Sequence, residues 1–347
     1  MEASGMAGAV MSSPPLPMRL TPPQLPPKWP GSQPTPTEGA PAHDSLSRIT
    51  VVTPSYNQAA FLETTIRSVL DQCYPALDYH VIDGGSTDGS VEILRHYEPW
   101  LTSWVSERDG GQVDAILKGL ARAEGEWFNW INSDDLLAPG ALWELANAGD
   151  ADLYAGCTQD FREDCLEKLH VSRHLTARAF VRMPLEPRVR RTGWHQPGTW
   201  LKTAALREIG INPALHYRFD LELLIHYLQR FPRVQYSDNV LAFFRLHADS
   251  KTVSQRENFY HEHLQILETI MQDPQQQPLA VDARQAVGKL KWRHQLQAIE
   301  NDDNRSCLNQ LLAIFQAASR TPGAWQMDST YKALHRVLRG SKRPHTV

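Results

Sequence analysis

The stretch RITVVTPSYNQAAFLETTIRSVLDQ, residues 48–72, changes hydrophobic period once, near its middle. Its first half is a β-branched run ended by the turn-forming residues PSYN, as a buried strand is. Its second half spaces Phe61, Leu62, Thr65, Ile66, Val69 and Leu70 three and four apart, which puts them on one face of a helix. A strand handing over directly to a helix is the opening unit of an α/β fold. The rhythm then repeats. YHVIDGGSTDGS is a second strand breaking into a Gly-rich loop, VEILRHYE a short helix, and SWVSERDGGQ a third strand and loop. VDAILKGLARA sets Val113, Ile116, Leu117 and Leu120 at helical spacing, EWFNWI is a fourth strand and ADLYAG a fifth. This order predicts a Rossmann-like, mostly parallel sheet with helices on both faces, and a ligand site beyond the carboxyl ends of the strands.

Polar residues gather at that edge. Ser55 and Asn57 follow the first strand; Asp83, Ser86 and Asp88 the second; Gln112 and Asp114 the third; Asp134 and Asp135 the fourth. In FNWINSDDLLAPGAL, residues 128–142, two adjacent carboxylates close a buried strand, and a helix is expected with Pro139 in its first turn. Adjacent carboxylates repel and lose hydration, so a positive partner is expected beside them. The first strand runs into TPSYNQ, without the glycines of a dinucleotide fingerprint. Gly84 and Gly89 have the spacing of a phosphate-binding loop, but Ser90 stands where its lysine belongs. A carboxylate-lined site of this kind meets a diphosphate through a divalent cation with hard oxygen ligands, Mg²⁺ or Mn²⁺.

The rest of the chain narrows the class. With 347 residues, 41% hydrophobic and 21% charged, it has the make-up of a soluble globular protein, and a net charge of -4 gives no general attraction to nucleic acid. No apolar run approaches the roughly 18 residues of a membrane span. Four scattered cysteines without CxxC pairs argue against a zinc ribbon or a disulfide framework and for a reducing cytoplasm. Residues 1–47, dense in proline and without a hydrophobic period or a signal-peptide core, read as a disordered tail, with Met18 a second candidate start. Past Ser254 the spacing turns helical through 255–347, and KLKWRHQ and HRVLRGSKRPH supply basic residues for a face attracted to anionic lipid, a peripheral contact on the inner side of a membrane.

Seven blocks taken in order resemble the family 2 glycosyltransferases of GT-A fold. They are TPSYNQAAFLETTIRSVLDQCYP, VIDGGSTDGSVEIL, SERDGGQVDAILKGL, WINSDDLLAPGAL, HQPGTWLKTAAL, HYRFDLELLIHYL and LAFFRLHADSKT, and they fall within a domain of residues 48–254. The resemblance implies a metal-dependent, inverting transfer of a sugar from a nucleoside diphosphate. UDP-sugar is the first expectation and dTDP-sugar the second; the acceptor is a hydroxyl of a glycan or lipid-linked molecule, and the setting cell-surface or exported polysaccharide synthesis. It assigns nucleotide and sugar contacts to Pro54, Ser55, Tyr56, Asn57, Asp83, Ser86, Asp88, Gln112, Asp114 and Asp134. It assigns metal binding to Asp135 and His247, and the general base to Asp220, at the start of a helix whose dipole favours the ionised carboxylate. Arg245 is a weaker phosphate candidate. Trp194, His195 and Gln196 are read as acceptor-side residues, and Trp200 as a sugar-stacking or core residue. Two departures from the family pattern, Asn132 in the metal motif and Phe219 before a single Asp220, keep a rival open: a non-catalytic nucleotide-sugar-binding relative. A nucleotidyltransferase ranks lower, since TPSYNQ lacks the glycine- and cation-bearing loop of that class.

Overall fold

The computed structural model describes residues 46–163, 165–185, 193–247, 255–302 and 304–339. The proline-rich segment up to residue 45 and the basic stretch from 340 lie outside them. The chain divides into two compact units. The first holds the described residues up to Ser172 with His195–Gly210 and Arg233–Leu246; the second holds Arg173–Trp194, Ile211–Pro232 and the described residues from His247.

In the first unit the expected alternation is present: β1 (Ile49–Ser55), α1 (Ala59–Leu70), β2 (Leu77–Asp83), α2 (Ser90–Tyr97), β3 (Ser103–Ser106), α3 (Gln112–Arg122) and β4 (Trp127–Trp130). Strands β3, β2, β1 and β4 lie side by side and parallel. Strand residues alternate between faces, and β1 packs accordingly. Val51 joins Leu62 and Ile66 of α1 and Leu94 of α2 in one core. Val52, on the opposite face, meets α3, where a Cβ on Gly119 would stand 2.5 Å from both Val52 methyls. Only glycine admits that approach.

Beyond β4 the sheet becomes mixed. After the acid pair, β5 (Leu136–Leu137) pairs antiparallel with β9 (Val234–Arg245), drawing the chain into the sheet before α4 (Ala141–Leu145) begins. Pro139 therefore precedes that helix by two residues; its N-cap is Gly140 in the left-handed conformation. The segment ADLYAG enters a longer strand, β6 (Leu153–Arg162), which forms a hairpin with β7 (Cys165–His170) and pairs with β8 (Thr199–Lys202) and β9. Helix α6 (Thr203–Ile209) follows β8. Trp200 has no exposed surface; it belongs to the core rather than to a sugar platform.

The second unit is helical: α5 (Ala177–Val181), α7 (Phe219–Arg230) and four C-terminal helices, Arg256–Gln272, Gln277–Glu300, Cys307–Arg320 and Asp328–Leu338. The last three close on Trp292, Leu296, Ile314, Ala318, Ala333 and Val337, and the Trp292 indole N–H donates to Thr330 Oγ1 at 2.9 Å. The basic residues of KLKWRHQ have internal partners. Lys289 donates to the Leu185 carbonyl at 2.8 Å, Lys291 pairs with Glu268 at 2.8 Å and His294 with Glu257 at 2.8 Å. Ion pairing within the unit thus uses much of the charge that the sequence suggested for lipid.

Candidate active site

The first unit brings the loops after β1 and β2 together at the carboxyl edge. The Gly84 N–H donates to the Ser55 carbonyl at 2.8 Å, the Asn57 N–H to Ser86 Oγ at 2.7 Å, and the Thr87 N–H to Asn57 Oδ1 at 2.9 Å. Asn57 sits at φ 51, a left-handed conformation that asparagine tolerates. Asp83 is fully buried. Its Oδ2 accepts from the Gly85 N–H, the Ser86 N–H and Ser106 Oγ at 3.1, 2.9 and 2.6 Å. Among the described residues its Oδ1 accepts only from Ser86 Oγ, at 2.5 Å, so that oxygen keeps a lone pair for a further donor. Ser55 Oγ is buried without a hydrogen-bond partner, Pro54 is buried within the strand, and Tyr56 is exposed over 61% of its surface.

Two of the expected ligand residues make local hydrogen bonds. Asp88 accepts from the Ala59 N–H, at the start of α1, and from the Ser90 N–H and hydroxyl, at the start of α2. Asp114 accepts from the Gly110 N–H at 3.0 Å and pairs with Lys118 at 3.4 Å. Hydrogen bonds to the ionised form lower the pKa of both, opposed at Asp88 by burial, and Lys118 adds to the effect at Asp114.

The acid pair is the most constrained part of the edge. Thr65 Oγ1, from α1, donates to the carbonyls of Ser133 and Asp135, each at 2.8 Å, and fixes the turn. Asp135 is 1% exposed. Its Oδ1 accepts from the Arg245 N–H and its Oδ2 from Asn132 Nδ2, both at 3.0 Å; Asn132 in turn accepts from Gln112 Nε2 at 2.6 Å. Burial, then the charge of Asp134, pushes the Asp135 carboxyl well above the ordinary range, and the two hydrogen bonds and Arg245 only partly oppose this. Arg245 has contacts within the edge. Its Nε donates to the Asp134 carbonyl at 2.9 Å, and its guanidinium lies 4.9 and 4.5 Å from the ring centres of Phe61 and Phe161. It supplies part of the positive charge that the sequence demanded. A buried carboxylate with a second one beside it and hard oxygen donors facing one edge fits a divalent cation.

His195 and Gln196, in the first unit, turn inward. Gln196 Nε2 donates to Asn129 Oδ1 and to the Trp130 carbonyl, each at 2.8 Å, and Asn129 Nδ2 donates to the Pro197 carbonyl at 2.9 Å. His195 stacks on His170 with ring centres 3.8 Å apart and lies near Asp160. Asp160 and His170 carried no signal in the sequence, because a strand pair brings them together rather than a motif. Trp194, in the second unit, packs edge-on against Phe180 at 5.3 Å. His247 also falls in the second unit and is half-buried.

In the second unit Asp220 stands in the first turn of α7, where the Leu221 N–H donates to its Oδ1 at 2.8 Å. Burial raises its pKa, Arg218 opposes the rise and Glu262 adds to it. The loop before it is clamped by Glu262, whose carboxylate accepts from the N–H groups of His216, Tyr217 and Arg218, each at 2.7 Å. Three donors on one carboxylate fix the loop that leads into α7, whose N-cap residue Arg218 makes no side-chain capping bond. Glu262→Ala is expected to cost about 1–2 kcal/mol, read as a lowered denaturation midpoint with an unchanged slope.

Residues 50–209 match the profile described as Glycosyl transferase family 2. TuaG of Bacillus subtilis (strain 168), a glycosyltransferase assigned by its name to teichuronic acid biosynthesis, is 38% identical over 90 residues, 25% of this chain and 36% of its own. Glycosyltransferase GlyG of Streptococcus pneumoniae is 29% identical over 121 residues, 33% of this chain and 40% of its own. The chain thus spans a little over a third of these relatives' length. Two solved structures share the fold at low identity. S. aureus TarS 1–349 in complex with UDP-GlcNAc has a TM-score of 0.58 at 16% identity, covering 85% of this chain and 92% of that one. The mannosyltransferase PcManGT of Pyrobaculum calidifontis, in complex with GDP-Man and Mn²⁺, has 0.53 at 18%, covering 89% and 92%.

Proposed function

The chain belongs, through residues 50–209, to glycosyl transferase family 2, and on that premise we propose that it transfers a sugar from a nucleoside-diphosphate donor to a hydroxyl of a glycan or lipid-linked acceptor, with inversion, in cell-surface polysaccharide synthesis. The observation that carries the reading is Asp135: buried, beside a second carboxylate, and held by two hydrogen bonds that leave its charge incompletely offset.

The chain's own residues supply binding and proton transfer. Asp83 Oδ1, with its spare lone pair, would accept from the base or ribose of the donor, beside the buried Ser55 hydroxyl and the exposed Tyr56 ring. Asn132 and the Arg245 N–H set the direction in which Asp135 presents its oxygens. Asp134 would meet the donor's hydroxyls. A divalent cation, when bound, stabilises the charge that develops on the leaving diphosphate. Asp220 would take the proton of the attacking hydroxyl, a task suited to a carboxylate whose pKa is raised. His247 keeps the metal-ligand role that the resemblance implies.

The test is nucleotide release from a panel of UDP- and GDP-sugars with Mn²⁺. At least one donor is expected to be turned over in a reaction that EDTA stops. Tight donor binding without turnover of any sugar, on any acceptor extract tried, would favour the non-catalytic relative.

A further inference from the structure

Asp160 on β6, His170 on β7 and His195 ahead of β8 come from three separate stretches of the first unit and converge on one point. His170 Nε2 and Asp160 Oδ2 are 2.7 Å apart. On the other side of the carboxylate, Asp160 Oδ1 and His195 Nδ1 are 3.7 Å apart. Both of these atoms are buried and have no hydrogen-bond partner among the described residues, and Asp160 is only 7% exposed. A buried acceptor and a buried ring nitrogen that face each other and do not bond leave a polar gap, and such gaps are costly unless something fills them. One ligand atom from each of the three residues falls within 4.8 Å of the others.

From these positions we infer that Asp160, His170 and His195 form a binding site for a divalent cation of the Zn²⁺ class, built from residues other than Asp134 and Asp135. Metal–ligand bonds of about 2.0–2.2 Å in a tetrahedral site place ligand atoms roughly 3.3 Å apart. The 2.7 and 3.7 Å separations involve different oxygens of Asp160, so seating the ion requires the carboxylate to turn until one oxygen faces both rings. Two imidazoles and one carboxylate suit Zn²⁺, or Co²⁺ as its spectroscopic substitute, better than Mg²⁺. Three protein ligands leave a fourth position open to water. The opposing charge is Lys168, whose Nζ lies 3.4 Å from His170 Nδ1; its side chain is exposed and free to turn outward. The ion would pin the β6–β7 hairpin to the segment that enters β8. The inference is independent of the proposed activity.

The test titrates Co²⁺ into the full chain carrying Asp135→Asn, which removes the first site. One equivalent is expected to bind with a visible ligand-field band, to be displaced by Zn²⁺, and to raise the melting temperature. Adding His195→Gln, or His170→Ala, should abolish the band. The half-exposed His195 is the safer change, and an unchanged metal-free melting temperature checks that it folds. An absent band in Asp135→Asn, or an equal one in the histidine variants, would overturn the assignment.

Discussion

Asp220→Ala is expected to lower turnover by about 10²–10⁴-fold, the usual contribution of a general base, while leaving donor affinity essentially unchanged. The residue lies in the second unit, and the donor-side loops, with the acid pair, in the first. A loss confined to kcat therefore marks it as acting on the acceptor's proton rather than on the nucleotide. A purely structural role is separated by the pH profile. Burial, then Glu262, raises the Asp220 pKa against Arg218, so activity should fall on the acid side at a pH above the ordinary carboxylate range. Glu262→Gln removes the negative charge that helps to raise it, and the acid limb should move to lower pH. A helix cap with no chemical role would shift stability and leave that limb in place.

Replacing Asp135 should move binding and stability in opposite directions. The native state holds the Asp135 proton to a higher pH than the unfolded chain does, because burial and Asp134 raise its pKa. Stability is then greatest below the unfolded value and falls as pH rises toward the raised native one. Above the raised native value the metal-free protein carries the whole of this penalty, and Asp135→Asn relieves it. The variant's melting temperature without metal should therefore exceed that of the parent. With Mn²⁺ and UDP at a hundred times the dissociation constant, the parent gains about 2.7 kcal/mol, the variant gains none, and the order reverses.

Much of the donor-side architecture was legible because local period and loop chemistry agree. The β1–α1 handover, the Asp83 loop and the acid pair all lie where alternating periods and polar breaks put them. The second half of the sheet was harder to read, since β5 with β9 and β6 with β8 are long-range pairings that leave no mark on local spacing. Asp160 and His170 were missed for a different reason: the register of the β6–β7 hairpin, which shifts between Gln159 and Phe161, is not set by any motif. Arg245 and Gln196 also have structural contacts that the sequence does not show. The chain folds their polar groups onto the Asp134 carbonyl and onto Asn129 and Trp130, so both hold up the edge from behind. Asp88 and Asp114 also accept backbone N–H groups at and just before helix starts, contacts that the sequence does not show.

The central claim is that Asp135 exists to hold a cation under a nucleoside diphosphate. Calorimetric titration of UDP into the full chain, with Mn²⁺ and again with EDTA, tests it most directly when repeated on Asp135→Ala. The account predicts binding that requires Mn²⁺ and disappears in the variant. Equal affinity with and without metal, or an unaffected Asp135→Ala, would contradict it.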